Sequence, residues 1–207
     1  MRLIAFGDSW TAGHGVETNS RYKEDGAPDA FTQKLREQNS WPAWVGQHMG
    51  IPAVNMGVCG RSNERILRDI LEVKKLNVLE PDDLIIVMLS YPYRRMTKDS
   101  PSVLETYMAI EYQLKDYKHF FVNSFYPTFK DEEYDVANLP NYFINPNSAM
   151  ADILKEYEAK HDVSVSEYGS RSVWNDEKNF WTGDYHPNAL GYKVIGEYLY
   201  NQIKDKL

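Results

Sequence analysis

Short apolar runs alternate with longer stretches of helical periodicity along this chain, and that alternation constrains its fold more than any other feature. The clearest run, Leu84–Leu89, is continuously apolar, as expected of a strand buried on both faces of a parallel sheet. Ser40, Pro42 and Gly50 are start and stop signals around the clearest helix. The predicted strands lie at 3–6, 52–56, 84–89, 119–125 and 163–165, and the predicted helices at 30–37, 41–49, 64–77, 101–117, 148–160 and 188–203. We therefore expect an α/β fold in which helices cover both faces of a parallel sheet.

Length and composition indicate one ordered domain over residues 1–207. Domains usually contain about 100–200 residues, and 43% hydrophobic with 26% charged residues suffices for a sizeable core. The formal net charge is −7, without a basic cluster. Such a chain is a poor binder of phosphate backbones, so no nucleic-acid partner is expected.

Cysteine content and apolar run length narrow the cellular setting. The single cysteine, Cys59, excludes an internal disulfide and a cysteine-based zinc site. Residues 1–7 are too short an apolar stretch for a secretory signal, and Leu84–Leu89 falls far short of the ~20 residues that span a bilayer. We expect a cytoplasmic protein that does not insert into membranes. Its oligomeric state leaves no trace in the sequence.

A candidate nucleophile follows the first predicted strand directly, in Gly7-Asp8-Ser9-Trp10. A serine at a tight strand-to-helix turn projects its hydroxyl at the rim of the sheet, beside unpaired backbone amides of the following helix. Gly-Asp-Ser triplets also occur in ordinary turns. The position directly after a strand is what favours a catalytic role for Ser9.

A candidate general base lies near the other end of the sequence, in Gly183-Asp184-Tyr185-His186-Pro187. His186 is predicted in the loop before the last helix. Asp184 is placed to orient the imidazole and stabilise its charged form, as the acid of a serine hydrolase does; Asp162 and Asp176 are alternatives. Among the other histidines, His14 is close enough to Ser9 in sequence to line the same pocket.

Together the two motifs resemble the SGNH/GDSL hydrolase family, and the segment between them, Asn55–Asn63, resembles that family's second block. The resemblance implies a flavodoxin-like three-layer α/β/α sandwich with about five parallel strands. It implies hydrolysis of esters through an acyl-serine intermediate, without a metal or a cofactor. It also implies an oxyanion hole that includes the backbone N–H groups of Ser9 and Gly60.

The family's third block is altered in this sequence. In its usual form, Gly-x-Asn, the asparagine donates to the oxyanion, but Pro92 occupies that position and has no N–H. Asn63 is one candidate replacement, because its amide has two N–H groups; alternatively, Asn63 is the N-cap of the following helix. A third possibility is that the two backbone amides suffice, with water or Tyr91 assisting.

The family's final motif is altered too. Its usual form, Asp-x-x-His, would place the acid at Gly183, whereas Asp184 gives Asp-x-His. That shorter spacing is similar to some acetyl-transferring and esterase branches of the family. Gly183 gives the backbone freedom to turn, so we expect Asp184 to reach the imidazole.

Residues near the predicted cleft suggest the substrate. The candidate substrate-binding residues are Asp8, Trp10, Tyr91, Arg94 and Tyr185. Aromatic rims suit stacking on sugar rings, which makes an acetylated carbohydrate one candidate ester; alternatively, the tyrosines pack loops onto the sheet with their hydroxyls in water. Without a long apolar stretch for docking on lipid, short acyl chains are favoured. The long segments 11–39 and 126–147 are candidate lids.

Two other functions use the same residues. An acyltransferase would move the acyl group to a sugar hydroxyl instead of water. A catalytically silent binding module would explain Pro92, because loss of one oxyanion donor can cost about 10²–10³ in rate.

Overall fold

A computed structural model describes residues 1–16, 29–91, 94, 101–124, 143–146, 148–161 and 186–207. The strands are β1 (Leu3–Phe6), β2 (Ala53–Asn55), β3 (Leu84–Leu89) and β4 (Lys118–Asn123). They form a parallel sheet in the order β2-β1-β3-β4. The α/β fold class is confirmed with these four strands, and the predicted strand at 163–165 lies outside the described residues.

The helices also follow the sequence pattern. In chain order, α1 to α7 are Ser9–Ala12, Ala30–Asn39, Trp41–Met49, Asn63–Lys75, Val103–Leu114, Met150–His161 and Ala189–Ile203. The start of α5 is set by a capping box, in which Ser102 and Glu105 bond reciprocally to each other's backbone N–H. The four-residue α1 is not among the predicted helices, since it is too short to show periodicity. None of the helices in the described ranges has the length and apolar character needed to cross a bilayer.

Alternate residues of each strand face opposite helical layers. Leu3 and Ala5 of β1 point into the apolar core shared with α3, α6 and α7. Ile4 and Phe6 point into the core shared with α4 and α5. Every residue of Leu84–Leu89 is buried, which explains why that run has no polar alternation. The predicted three-layer α/β/α arrangement is confirmed.

The strand order creates a crevice between β1 and β3. Helix α3, which comes between β1 and β2, packs on one face of the sheet, whereas α5, which follows β3, packs on the other. In open α/β sheets, ligands bind at such a switch point, outside the carboxyl ends of the strands. The residues that follow β1 and β3 are therefore expected to form the site.

Candidate active site

The turn after β1 holds Ser9 at the carboxyl edge of the sheet. Asp8 is the N-cap of α1, and its Oδ1 accepts a hydrogen bond from Trp10 N at 3.0 Å. Ser9 is the first residue of α1 and is largely buried. A Cβ at Gly7 would lie 2.9 Å from the backbone oxygen of Met88. The turn can therefore close this tightly against β3 only with glycine.

The loop before α7 brings His186 against Ser9. His186 Nε2 lies 2.7 Å from Ser9 Oγ, although the two residues are 177 positions apart. Helix α7 begins just after His186, capped by Asn188, whose Oδ1 accepts from Gly191 N at 3.0 Å. When the imidazole proton is on Nδ1, the Ser9 hydroxyl donates to Nε2. This is the contact that a nucleophile and its general base require.

The acid predicted to orient His186 does not lie within the described residues. Asp184 and Tyr185 lie outside the described residues, as do the alternatives Asp162 and Asp176. The role of Asp184 stays a prediction.

Asp8 is engaged within the protein through both carboxylate oxygens. Beyond the cap at Trp10 N, its Oδ2 accepts a hydrogen bond from Ser90 Oγ at 2.6 Å and lies 3.6 Å from Arg94 Nη1. Asp8 is 1% exposed and Ser90 0%, so water does not compete for the bond between them. Ser90 follows β3 as Asp8 follows β1, and this bond joins the two loops beside the crevice. The prediction that Asp8 contacts substrate is corrected, because its carboxylate is buried and used internally.

The other predicted substrate-binding residues divide into buried and exposed ones. Trp10 is 3% exposed and packs in the apolar core with α3 and α7, which corrects the prediction that it contacts substrate. Tyr91 is exposed and Arg94 is half-buried, so both can meet a ligand. Pro92 lies outside the described residues, as do residues 17–28 of the first candidate lid and most of the second.

Asn63 holds the backbone of Ser90. Its Oδ1 accepts from Ser90 N at 2.8 Å, and its Nδ2 donates to Ser90 O at 3.3 Å. The alternative in which Asn63 caps α4 is wrong, because Ser62 occupies the N-cap position and Asn63 is the first helical residue. The contact to Ser90 O uses one N–H of an amide that has two. The role of Asn63 as an oxyanion donor stays a prediction.

Asn55 joins the loop that carries Gly60 to the turn that carries Ser9. Its Nδ2 donates to Thr11 O at 2.7 Å, and its Oδ1 accepts from Gly57 N at 2.9 Å. A Cβ at Gly57 would lie 2.4 Å from a backbone nitrogen of α1. Gly60 itself has a φ of 76°, in the left-handed region that glycine adopts without strain. The two loops are thus fixed against each other, as they must be if Gly60 N–H and Ser9 act on one oxyanion.

Two further side chains, His14 and Cys59, lie beside His186. The ring centroids of His14 and His186 are 4.4 Å apart, with 24° between the ring planes. His14 Nδ1 is 3.4 Å from Cys59 Sγ. This placement agrees with the expectation that His14 lines the pocket of Ser9.

Comparison with known proteins defines the class to which this fold and site belong. A sequence model of the GDSL-like Lipase/Acylhydrolase family matches residues 5–194. A search of curated proteins found no match. The chain belongs to the GDSL-like lipase/acylhydrolase family and is a carboxylic ester hydrolase, as the resemblance in its sequence implies.

Several solved structures share the fold. A member of the lipolytic protein G-D-S-L family from Veillonella parvula DSM 2008 superposes with a TM-score of 0.50 at 17% identity, over 99% of this chain and 97% of that one. A carbohydrate esterase family 2 enzyme with a carbohydrate-binding domain, from Corynascus thermopiles (Myceliophthora fergusii), gives a TM-score of 0.54 at 13% identity, over 99% of this chain and 65% of that one. The W215I variant of Axe2, an acetyl xylan esterase from Geobacillus stearothermophilus, gives a TM-score of 0.50 at 16% identity, over 98% of this chain and 94% of that one. At these identities the likeness shows the fold.

Proposed function

We propose that this enzyme hydrolyses esters of short acyl groups, with acetylated carbohydrates as the first candidates, through an acyl intermediate on Ser9. The observation that carries this proposal is the 2.7 Å contact between Ser9 Oγ and His186 Nε2. It occurs at the switch point of the sheet, where α/β folds bind their ligands.

The proposed reaction begins with proton transfer from Ser9 to His186. As Ser9 Oγ bonds to the ester carbonyl carbon, Nε2 accepts the hydroxyl proton and the carbonyl oxygen becomes an oxyanion. When the tetrahedral intermediate collapses, the ester C–O bond breaks and the imidazolium protonates the departing alcohol. Water, deprotonated by the same nitrogen, then attacks the acyl carbon. The bond from that carbon to Ser9 Oγ breaks, the imidazolium returns the proton to Oγ, and the acid is released. In this reaction Asp184 stabilises the imidazolium of His186.

Three donors are assigned to the oxyanion. The backbone N–H groups of Ser9 and Gly60 lie on loops that Asn55 fixes together, which supports a common target. The third donor is the remaining N–H of the Asn63 amide, which takes the place of the asparagine that Pro92 replaces. Donors held rigidly before the reaction stabilise developing charge without reorganisation.

The preference for short acyl groups is supported by the sequence. Its clearest apolar run, Leu84–Leu89, is a fully buried strand, and the sequence has no long apolar stretch that could dock on lipid.

Acetylated carbohydrate is the first natural ester to test for two reasons. Tyr91 is exposed beside the crevice, where an aromatic ring can stack on a sugar. Two of the structural neighbours are a carbohydrate esterase and an acetyl xylan esterase. Their fold, shared with this chain, makes the same chemistry a reasonable starting point.

A panel of p-nitrophenyl esters from acetyl to palmitoyl tests the proposal, with acetylated xylo-oligosaccharide as a second substrate and Ser9→Ala as the blank. We expect kcat/KM to be highest for acetyl to butyryl and to fall by on the order of 100-fold for palmitoyl. A preference for palmitoyl would contradict the short-acyl assignment. Adding a sugar as a competing acyl acceptor and analysing the products separates hydrolysis from acyl transfer. A product in which the sugar carries the acyl group would show that the enzyme is an acyltransferase.

A further inference from the structure

The ring of His14 lies face to face with the ring of His186. The 4.4 Å between centroids and the 24° between planes are those of stacked rings. His186 uses its Nε2 edge for Ser9 Oγ, so the stack occupies a face and leaves that edge available. One face of the imidazole is therefore covered by a side chain.

The backbone of His14 is fixed by the same elements that carry the nucleophile and the base. His14 N donates to Ser9 O at 3.0 Å across the short α1 turn. Tyr192 is fully buried in α7, the helix that follows His186, and its hydroxyl donates to His14 O at 2.8 Å. The backbone of His14 is therefore bonded both to α1, which carries Ser9, and to α7, which follows His186.

The side chain of His14 is restrained as well. Its Nδ1 lies 3.4 Å from the thiol of Cys59, next in sequence to Gly60. The ring is thus held between His186 on its face and Cys59 at its edge, and it has little freedom to leave the stack.

A general base needs such support, because the terminal torsion of a histidine side chain has a broad energy well. A rotation that moves Nε2 by about 1 Å can cost on the order of 10²-fold in rate. We propose that His14 is a positioning residue, whose stacked ring holds His186 in the orientation that faces Ser9 Oγ. This proposal rests on the proposed function of Ser9 and His186.

The test compares His14→Ala, which removes the ring, with His14→Phe, which keeps an aromatic face without the nitrogen atoms. Turnover of p-nitrophenyl acetate is measured per serine labelled by a fluorophosphonate probe, so that partial unfolding of a variant does not imitate a slow enzyme. We expect His14→Ala to lower kcat by about 10–100-fold with KM nearly unchanged. His14→Phe should recover kcat to within a few-fold of the wild type, because it keeps the aromatic face. If the nitrogen atoms of His14 were what mattered, His14→Phe would be as slow as His14→Ala.

Two outcomes of the kinetic test overturn the proposal. One is wild-type kcat in His14→Ala, and the other is a His14→Phe variant as slow as His14→Ala. His161→Ala is the matched control, because the exposed ring of His161 also stacks on an aromatic side chain, that of Tyr157 at 4.1 Å, but lies at the end of α6. It should leave kcat close to the wild-type value.

A spectroscopic measurement separates this proposal from the proposed function. The Hε1 resonance of His186, assigned by its loss in His186→Ala, should shift when His14→Ala removes the ring current of the stacked imidazole. An unmoved resonance overturns the positioning role whether or not the enzyme turns over. Failure of the wild type to hydrolyse any ester, with the resonance shift present, would instead overturn the proposed function and leave the contact established.

Discussion

Strands β1 and β3 are linked at each end through an aspartate side chain, and the interactions at the two ends differ in kind. At the amino ends, Arg2 Nε and Nη2 donate to the two carboxylate oxygens of Asp83 at 3.0 and 2.7 Å. At the carboxyl ends, the buried Asp8 accepts instead from Ser90 Oγ at 2.6 Å, and Arg94 is farther away at 3.6 Å.

The difference separates stability from chemistry. The bidentate ion pair of Arg2 and Asp83 fixes the register where the strands begin, far along each strand from the crevice. Asp8 accepts from a hydroxyl and from the backbone of α1, so its bonds orient the turn that presents Ser9. We therefore expect changes at the carboxyl edge to alter kcat, and changes at the amino edge to alter only the free energy of unfolding.

The largest expected effect at the carboxyl edge is that of His186→Ala. Loss of the general base should lower kcat by about 10³–10⁴-fold, while the melting temperature stays close to the wild-type value. His48→Ala is the matched control, because His48 is an exposed histidine that stacks on Tyr200 at 5.2 Å, and it should retain wild-type kcat. Steady-state kinetics of both variants checks this, and a His186→Ala enzyme of near-normal rate would assign the base elsewhere.

Asn63→Ala is expected to have the next largest effect. Loss of an oxyanion donor should lower kcat by about 10²-fold, and loss of its contacts with buried Ser90 should cost about 1–3 kcal/mol of unfolding free energy. Asn63→Asp separates the two roles, since it keeps an acceptor for Ser90 N but has no amide N–H. It should recover part of the stability and none of the rate; unchanged kcat in both variants would show that Asn63 only supports the loop.

Ser90→Ala should have a smaller effect on rate. Asp8 loses the hydroxyl at 2.6 Å but keeps the N–H of Trp10, so we expect kcat to fall by roughly tenfold, with about 1 kcal/mol lost in stability. Ser124→Ala is the matched control. Ser124 follows β4 as Ser90 follows β3, is equally buried, and its hydroxyl bonds to no residue in the described part of the chain. Equal kcat values for Ser90→Ala and Ser124→Ala would show that the hydrogen bond between Ser90 and Asp8 has no part in catalysis.

Asp83→Asn at the amino edge should leave kcat unchanged and lower the free energy of unfolding by about 2 kcal/mol.

The pH dependence of stability tests the same ion pair. Burial raises the pKa of Asp83, but hydrogen bonds from Arg2 and from Glu80 N–H outweigh it and hold that pKa below its ordinary value. Because the folded pKa is depressed, the carboxylate stabilises the fold above its unfolded pKa of about 3.9. This contribution is lost as pH falls through the folded pKa. The free energy of unfolding, measured by denaturant titration from pH 7 to pH 2, should fall less with decreasing pH in Asp83→Asn than in the wild type. An identical pH dependence in the two proteins would contradict the role of the ion pair.

The sequence patterns predicted the frame of the fold better than the contacts within the site. β1 and β3 were predictable to the residue, because continuous apolar runs stop abruptly at polar or glycine residues. The burial of Asp8 and Trp10 was not predictable, since a four-residue helix has no periodicity to distinguish inward from outward positions. The pairing of Asn63 with Ser90, 27 positions apart, and the stack of His14 on His186 depend on strand order. No local signal in the sequence marks such contacts.

Covalent labelling shows directly whether Ser9 is the nucleophile that His186 activates. The wild type and Ser9→Ala are treated with a fluorophosphonate probe, and the labelled peptide is identified by mass spectrometry. If Ser9 is the nucleophile, the wild type carries one label per chain, on Ser9, and Ser9→Ala loses both labelling and ester turnover. A label on another serine, or a Ser9→Ala protein that is still labelled and active, would contradict it.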